Sequence, residues 1–161
     1  MSEHSDLLER LRRGPELVAS VITGAAGAEL DFVPAPGRWS IRQIVAHLAD
    51  SEIVGADRLR RVIAEANPSL MAYDQDAWAK NLNYGRRKIS ESLDTLRRLR
   101  AGNYDLLKDL PEAALARTGT HNQRGLMTLR QLVEVIAEHA ERHARQLEEL
   151  RRQYKQMKAR T

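Results

Sequence analysis

The sequence predicts an all-α protein built as a four-helix bundle, with a short extra helix in the loop between the second and third helices. Three observations predict it. Apolar residues recur at helical spacing in four separate stretches of similar length. No stretch carries a strand signal. Leu, Ala, Arg and Glu dominate the composition while Phe occurs once, which favours helix over sheet. At 161 residues and 42% apolar content, the chain reads as a single domain spanning 1–161, long enough to bury a core.

The first helix is expected over residues 4–23, its apolar set running from Leu7 and Leu8 to Val21 and Ile22. Gly14-Pro15 falls inside it, so a kink or two short helices are expected there. Residues 24–38, rich in Gly, Ala and Pro, read as a loop. The second helix opens with a capping box, Ser40 with Gln43, flanked by Trp39 and Ile44 as a hydrophobic staple. It runs to about Glu65, where Asn67-Pro68 ends it. The short extra helix is expected near 76–81 and the third long helix over 86–108. After a loop over 111–125, Thr128 and Gln131 repeat the box, with Met127 and Leu132 as the staple of the fourth helix. Its stripe is Leu129, Leu132, Ile136, His139, His143, Leu147 and Leu150.

The absence of cysteine excludes disulfides, thiolate metal sites and a cysteine nucleophile. Any metal must be held by histidine, carboxylate or water. The N-terminus is polar and acidic, and no run approaches the ~20 apolar residues of a membrane span, so a cytoplasmic protein without membrane contact is expected. The net charge of +4 raises nucleic acid as a partner. Many basic residues alternate with acidic ones, however, and the basic segment 151–161 does not interleave aromatics with its charges as a base-stacking surface would. It reads as the basic end of the last helix, where cations suit the helix dipole, and nucleic acid is not the expected partner.

Three of the five histidines lie where a surface histidine should not. His139 and His143, four residues apart on the apolar stripe, rise ~6 Å along the helix and project from nearly one side. Imidazoles so placed can grip one cation, each nitrogen ~2.0–2.1 Å from a zinc-like ion. His47, beside Leu48 and Ser51 on the second helix, can be packed opposite them. The plain alternative is a set of hydrogen-bonded core histidines, and spacing alone leaves the two readings level. The lack of a carboxylate in the stripe tilts it toward a metal, because buried imidazoles need partners. His4 and His121 carry no such signal and read as a terminal and a loop residue.

The segment Gly37-Arg38-Trp39-Ser40-Ile41-Arg42-Gln43-Ile44-Val45-Ala46-His47-Leu48-Ala49-Asp50-Ser51-Glu52 resembles the first signature of the DinB/YfiT-like superfamily of metal-binding four-helix bundles. Residues 138–147, with a histidine pair four apart and a following glutamine, resemble its second, and Tyr73 to Trp78 is similar to a segment that many members carry between helices two and three. The resemblance implies that His47, His139 and His143 are a facial metal triad with open positions for water or substrate. It implies a divalent ion, nickel or zinc, and frequent homodimers. Characterised relatives include transferases and isomerases that use bacillithiol, mycothiol or glutathione. A metal-dependent enzyme of thiol-transferase or hydrolase type is therefore expected, acting on a small molecule and activating a low-molecular-weight thiol or water. The alternative is a non-catalytic metal-binding stress-response dimer. A pocket opening on the metal favours the enzyme, and a dry, sealed triad the second reading.

Around the triad, Asp50 is expected to be solvated, Ser51 is open between a role beside His47 and close helix packing, and Arg142 is expected to point away. Tyr73 and Trp78 either line the pocket mouth or anchor the long loop, and Asp74 and Asp76 read as loop-capping residues, with a carboxylate near the metal as the alternative.

Overall fold

A computed structural model describes residues 3–161 of the chain; Met1 and Ser2, the start of the polar N-terminus, lie outside the described residues. Four long helices dominate: α1 (Glu3–Ile22), α2 (Ile41–Ala64), α4 (Ile89–Lys108) and α5 (Leu129–Ala159), with the short α3 (Gln75–Asn81) between α2 and α4. Both α1 and α2 pack against α4 and α5, so α1 and α2 occupy opposite corners of the bundle. The fold is the expected all-α four-helix bundle with its extra helix. Among the described residues, no helix is long and apolar enough to cross a membrane.

Two of these helices start as their sequences require. Gln43 N donates to Ser40 Oγ at 3.3 Å while Ser40 N donates to Gln43 Oε1 at 2.9 Å. Thr128 and Gln131 repeat this at α5, at 3.1 and 2.9 Å. Each box satisfies two backbone donors that a helix start leaves unpaired. The basic end of α5 is helical to Ala159. Within it Arg151 reaches back to Glu29 at 2.7 Å and to the carbonyls of Val21 and Thr23 at 2.8 Å, covering acceptors left open where α1 ends.

Of the two outcomes expected at Gly14-Pro15, a division into two short helices is not what forms: α1 is one helix with Pro15 inside it. Proline has no N–H for the carbonyl four residues back, which strands Leu11 O. Arg100 of α4 replaces that donor, its Nη1 lying 2.7 Å from Leu11 O. Gly14 makes the approach possible, since a Cβ there would sit 2.6 Å from Arg100 Nη1 and 3.0 Å from Ala140 Cβ. The remaining guanidinium nitrogens grip Glu52 of α2 bidentately at 2.9 and 2.8 Å. Asn103 Nδ2 donates to the same carboxylate at 2.8 Å, and Arg60 donates to Asn103 Oδ1 at 2.8 Å. Arg100 and Glu52 are 2% and 3% exposed, so neither charge has water as a substitute partner.

This network divides the core. One apolar group gathers Leu11, Leu59, Val62, Leu107 and Leu132; the other gathers Val18, Ile44, Leu48, Leu96 and Leu147. Between them, at mid-height, lies a polar layer of Glu52, Arg100 and Asn103.

Part of the expected loop after α4 is instead strand. Strands β1 (Ser69–Leu70), β2 (Thr118–His121) and β3 (Gly125–Thr128) form a small sheet in that order, β1 parallel and β3 antiparallel to β2. Gly119 sits where a Cβ would lie 2.9 Å from both Leu70 and Val62, so this edge lies hard against the bundle. His121, expected as a plain loop residue, is buried on β2, and its Nδ1 accepts from the backbone N–H groups of Gln123 and Arg124 at 3.2 and 3.3 Å. It shapes the hairpin that carries Arg124.

Candidate metal centre

The second helix delivers His47 seven residues beyond its Ser40 cap, and α5 delivers His139 and His143. The three rings meet edge to face, with centroids 4.5–5.0 Å apart. His139 Nε2 lies 3.0 Å from His47 Nε2 and 3.1 Å from His143 Nε2. One ligand nitrogen from each ring falls within 4.8 Å of the others, with His47 buried and the other two half-buried.

The protonation of this cluster is set by burial. It pushes His47 down to about 4, with His143 nearby adding to the effect and Asp50 opposing it. It pushes His139 down to about 2, helped by its two histidine neighbours. His143 is lowered by burial too, against the raising influence of Gln146. Near neutral pH all three rings are therefore uncharged. Gln146 Oε1 accepts from His143 Nδ1 at 2.7 Å, which puts the His143 proton on Nδ1 and leaves Nε2 as a bare lone pair.

A metal ion fits this donor set. A proton on His139 Nε2 can serve one of its two Nε2 neighbours but not both, so a hydrogen-bonded core cluster leaves facing lone pairs. One divalent ion bound to all three nitrogens removes that conflict, and the spacing suits imidazoles sharing an ion at ~2.0–2.1 Å. Neutral nitrogen ligands leave the ion its full charge.

The surroundings are polar and open. Trp39, the staple residue ahead of the α2 cap, stands edge-on to His47 at 4.9 Å between centroids. Ser51 Oγ lies 3.4 Å from the ring nitrogens of His47 and 2.8 Å from Tyr73 Oη. Tyr73 packs on Trp78 at 4.5 Å. The triad faces two cavities. One, of about 340 Å³, is walled by Arg38, Trp39, Gln75, Asp76 and Gln146. The other, of about 180 Å³, is walled by Ser51, Arg58, Tyr73 and Arg124. A groove of about 660 Å³ along α1 is larger, but its side chains pair with one another, Arg10 with Glu141 and Arg12 with Glu9, and the histidines lie elsewhere.

Several expectations change here. Asp50 is not solvated: it is 4% exposed and held bidentately by Arg87 at 3.0 and 3.2 Å. Tyr84 lies buried beside it, its hydroxyl held protonated by burial and by the Asp50 carboxylate. Arg142, expected to point away, is among the residues lining both cavities, and its charge lies close enough to lower all three histidines. Ser51, left open between two readings, has its hydroxyl beside the His47 ring and the Tyr73 hydroxyl. Tyr73 lines the smaller cavity. Asp74 caps α3 as read, accepting from Ala77 N at 2.9 Å, whereas Asp76 lines the larger cavity. Arg58 and Arg124 were not singled out from the sequence. A signal for Arg58 exists in the helical spacing His47, Ser51, Gly55, Arg58, which puts all four on one face. Arg124 offers none, because the hairpin alone places it.

Comparison with known proteins agrees with this geometry. The DinB superfamily profile matches residues 10–147. A protein of Oceanobacillus iheyensis, whose name proposes a metal-dependent hydrolase, is 30% identical over 129 residues, covering 80% of this chain and 74% of that one. YfiT of Bacillus subtilis is 26% identical over 146 residues, covering 90% of this chain and 82% of its own. The solved structure of YfiT, described as a candidate metal-dependent hydrolase with an unusual four-helix bundle topology, superposes with a TM-score of 0.89. That match has 25% identity and spans 96% of this chain and 90% of YfiT.

Proposed function

This chain belongs to the DinB superfamily, and from that premise we propose that it is a metal-dependent enzyme of hydrolase or thiol-transferase type. His47, His139 and His143 would hold a divalent ion, nickel or zinc. When bound, such an ion supplies Lewis acidity that makes a water or a thiol a nucleophile near neutral pH. Gln146 keeps the His143 lone pair turned inward, and Trp39 braces the His47 ring. The Ser51 and Tyr73 hydroxyls form a 2.8 Å pair on the wall of the smaller cavity, where they can orient a reacting group or hold its proton. Burial keeps Tyr73 protonated, so it acts there as a donor.

The observation that carries the reading is that a cavity with polar walls opens on all three histidines and a second one on His47 and His139. A metal kept only to stabilise the bundle needs no such access, which argues against the non-catalytic alternative.

The test is elemental analysis of protein prepared without a histidine tag, beside the His139→Ala/His143→Ala double variant. Near-stoichiometric divalent metal in the parent and its loss in the variant are expected. A parent that stays metal-free after reconstitution with nickel or zinc overturns the proposal. For the loaded protein, glutathione-dependent consumption of 1-chloro-2,4-dinitrobenzene against thiol-free hydrolysis of p-nitrophenyl acetate separates the two reaction types.

A further inference from the structure

Three arginines line the smaller cavity: Arg58 from α2, Arg124 from the β2–β3 hairpin and Arg142 from α5. The carboxylate on that wall, Glu52, is already engaged by Arg100 and Asn103. Neither Arg124 nor Arg142 has a side-chain hydrogen bond or ion pair among the described residues. Arg58 donates through Nη2 to the carbonyl of Met71, while its Nε is buried without a protein partner. A buried guanidinium nitrogen left unpaired is costly, and gathering three like charges beside a cation site adds to the cost. Burial and the nearness of Arg124 already push Arg58 below its ordinary value.

We propose that Arg58, Arg124 and Arg142 form an oxyanion-binding wall, so that the substrate presented to the triad is a small molecule carrying a carboxylate or phosphate group. This rests on the proposed function for the triad and supplies its substrate class. An oxyanion meets the need on every count: it neutralises the wall and accepts the unpaired N–H groups in the planar fork that arginine offers. The cavity's volume of about 180 Å³ suits an acidic head group. Both cavities share His47, His139 and Arg142, so the rest of such a molecule has the larger cavity to extend into.

The experiment uses cobalt-loaded protein, whose thiolate-to-cobalt absorption reports thiol binding, titrated at constant ionic strength with 3-mercaptopropionate and 2-mercaptoethanol. The parent is expected to bind the anionic thiol about tenfold more tightly, a difference ordinary for one charge-assisted contact. The Arg58→Gln/Arg124→Gln variant is expected to close the gap while keeping its affinity for 2-mercaptoethanol. The Arg124→Gln variant, altered only at an exposed hairpin residue, is expected to narrow it and guards against misfolding of the double variant. No preference in the parent, or an undiminished one in both variants, overturns the proposal. A second arm needs no metal. Inorganic phosphate and succinate should each be tested for raising the melting temperature of metal-free parent more than that of either variant. A rise with at least one of them, lost in the variants, is expected, and which anion acts tells phosphate from carboxylate. No rise, or the same rise in parent and variants, counts against the wall. Failure to load cobalt would sink the triad reading alone, since the second arm still reads the wall.

Discussion

Gln146 shows how a residue outside the triad governs it. Its Oε1 accepts a hydrogen bond from the His143 Nδ1–H, which keeps the proton on Nδ1 and leaves Nε2 to face the other two rings. Gln146→Leu removes that acceptor at similar size. Metal affinity, measured by competition with a chelator, is expected to fall about 10–100-fold. Gln146→Glu keeps an acceptor and is expected to hold most of it. An undiminished affinity in Gln146→Leu would refute the role. At this scale the sequence was informative where local spacing decides placement, as for His139 and His143, which it puts on one side of α5. It misled where partners come from elsewhere: Asp50 finds Arg87 across 37 residues, and nothing near Asp50 signals that. Arg142 was misplaced because helical spacing fixes where a side chain leaves the backbone. A long arginine side chain can still bend back toward a neighbouring pocket.

The helices repeat that lesson. Capping boxes made the starts of α2 and α5 legible to the residue, since every atom of a box lies within four residues of chain. The Gly14-Pro15 pair was read as a kink or a division into two helices because local rules see the lost N–H but not its replacement by Arg100, 89 residues beyond Leu11. The strands escaped notice for another reason: at two to four residues they are too short to show alternation. Gly14→Ala weighs the competing terms in α1. Alanine should gain about 1 kcal/mol in helix propensity. Its Cβ would, however, press on Arg100 Nη1 and Ala140 Cβ, and Arg100 is pinned by Glu52 and Leu11. Overpacking of this kind costs about 1–3 kcal/mol, and a displaced guanidinium would add the penalty of a buried, poorly paired charge. Net destabilisation is expected, read as a lower urea midpoint; an unchanged or higher midpoint would show that Arg100 gives way freely.

Across the whole molecule, the polar layer and the triad place titratable groups in the middle of an otherwise apolar bundle. The consequence for metal-free protein has a definite sign. Unfolded, each histidine takes up a proton near pH 6.5; folded, His47 does so only near 4 and His139 near 2. Below pH 6.5 the unfolded chain therefore binds more protons than the fold, and stability falls with pH; above it the histidines contribute no slope. Each is expected to add up to about 1.4 kcal/mol per pH unit over the window between its two values. Urea midpoints of metal-free parent and His139→Leu between pH 7 and 4.5 test this, the variant showing the shallower decline and parallel curves ruling it out. The triad also draws on both ends of the fold, since 92 residues separate His47 from His139. During synthesis, a chain that has emerged only as far as α4 offers just one of the three imidazoles, too little to retain an ion against competing cellular ligands. On the proposed function, loading would wait until α5 has left the ribosome, and a product truncated before α5 would lack two of the three ligands.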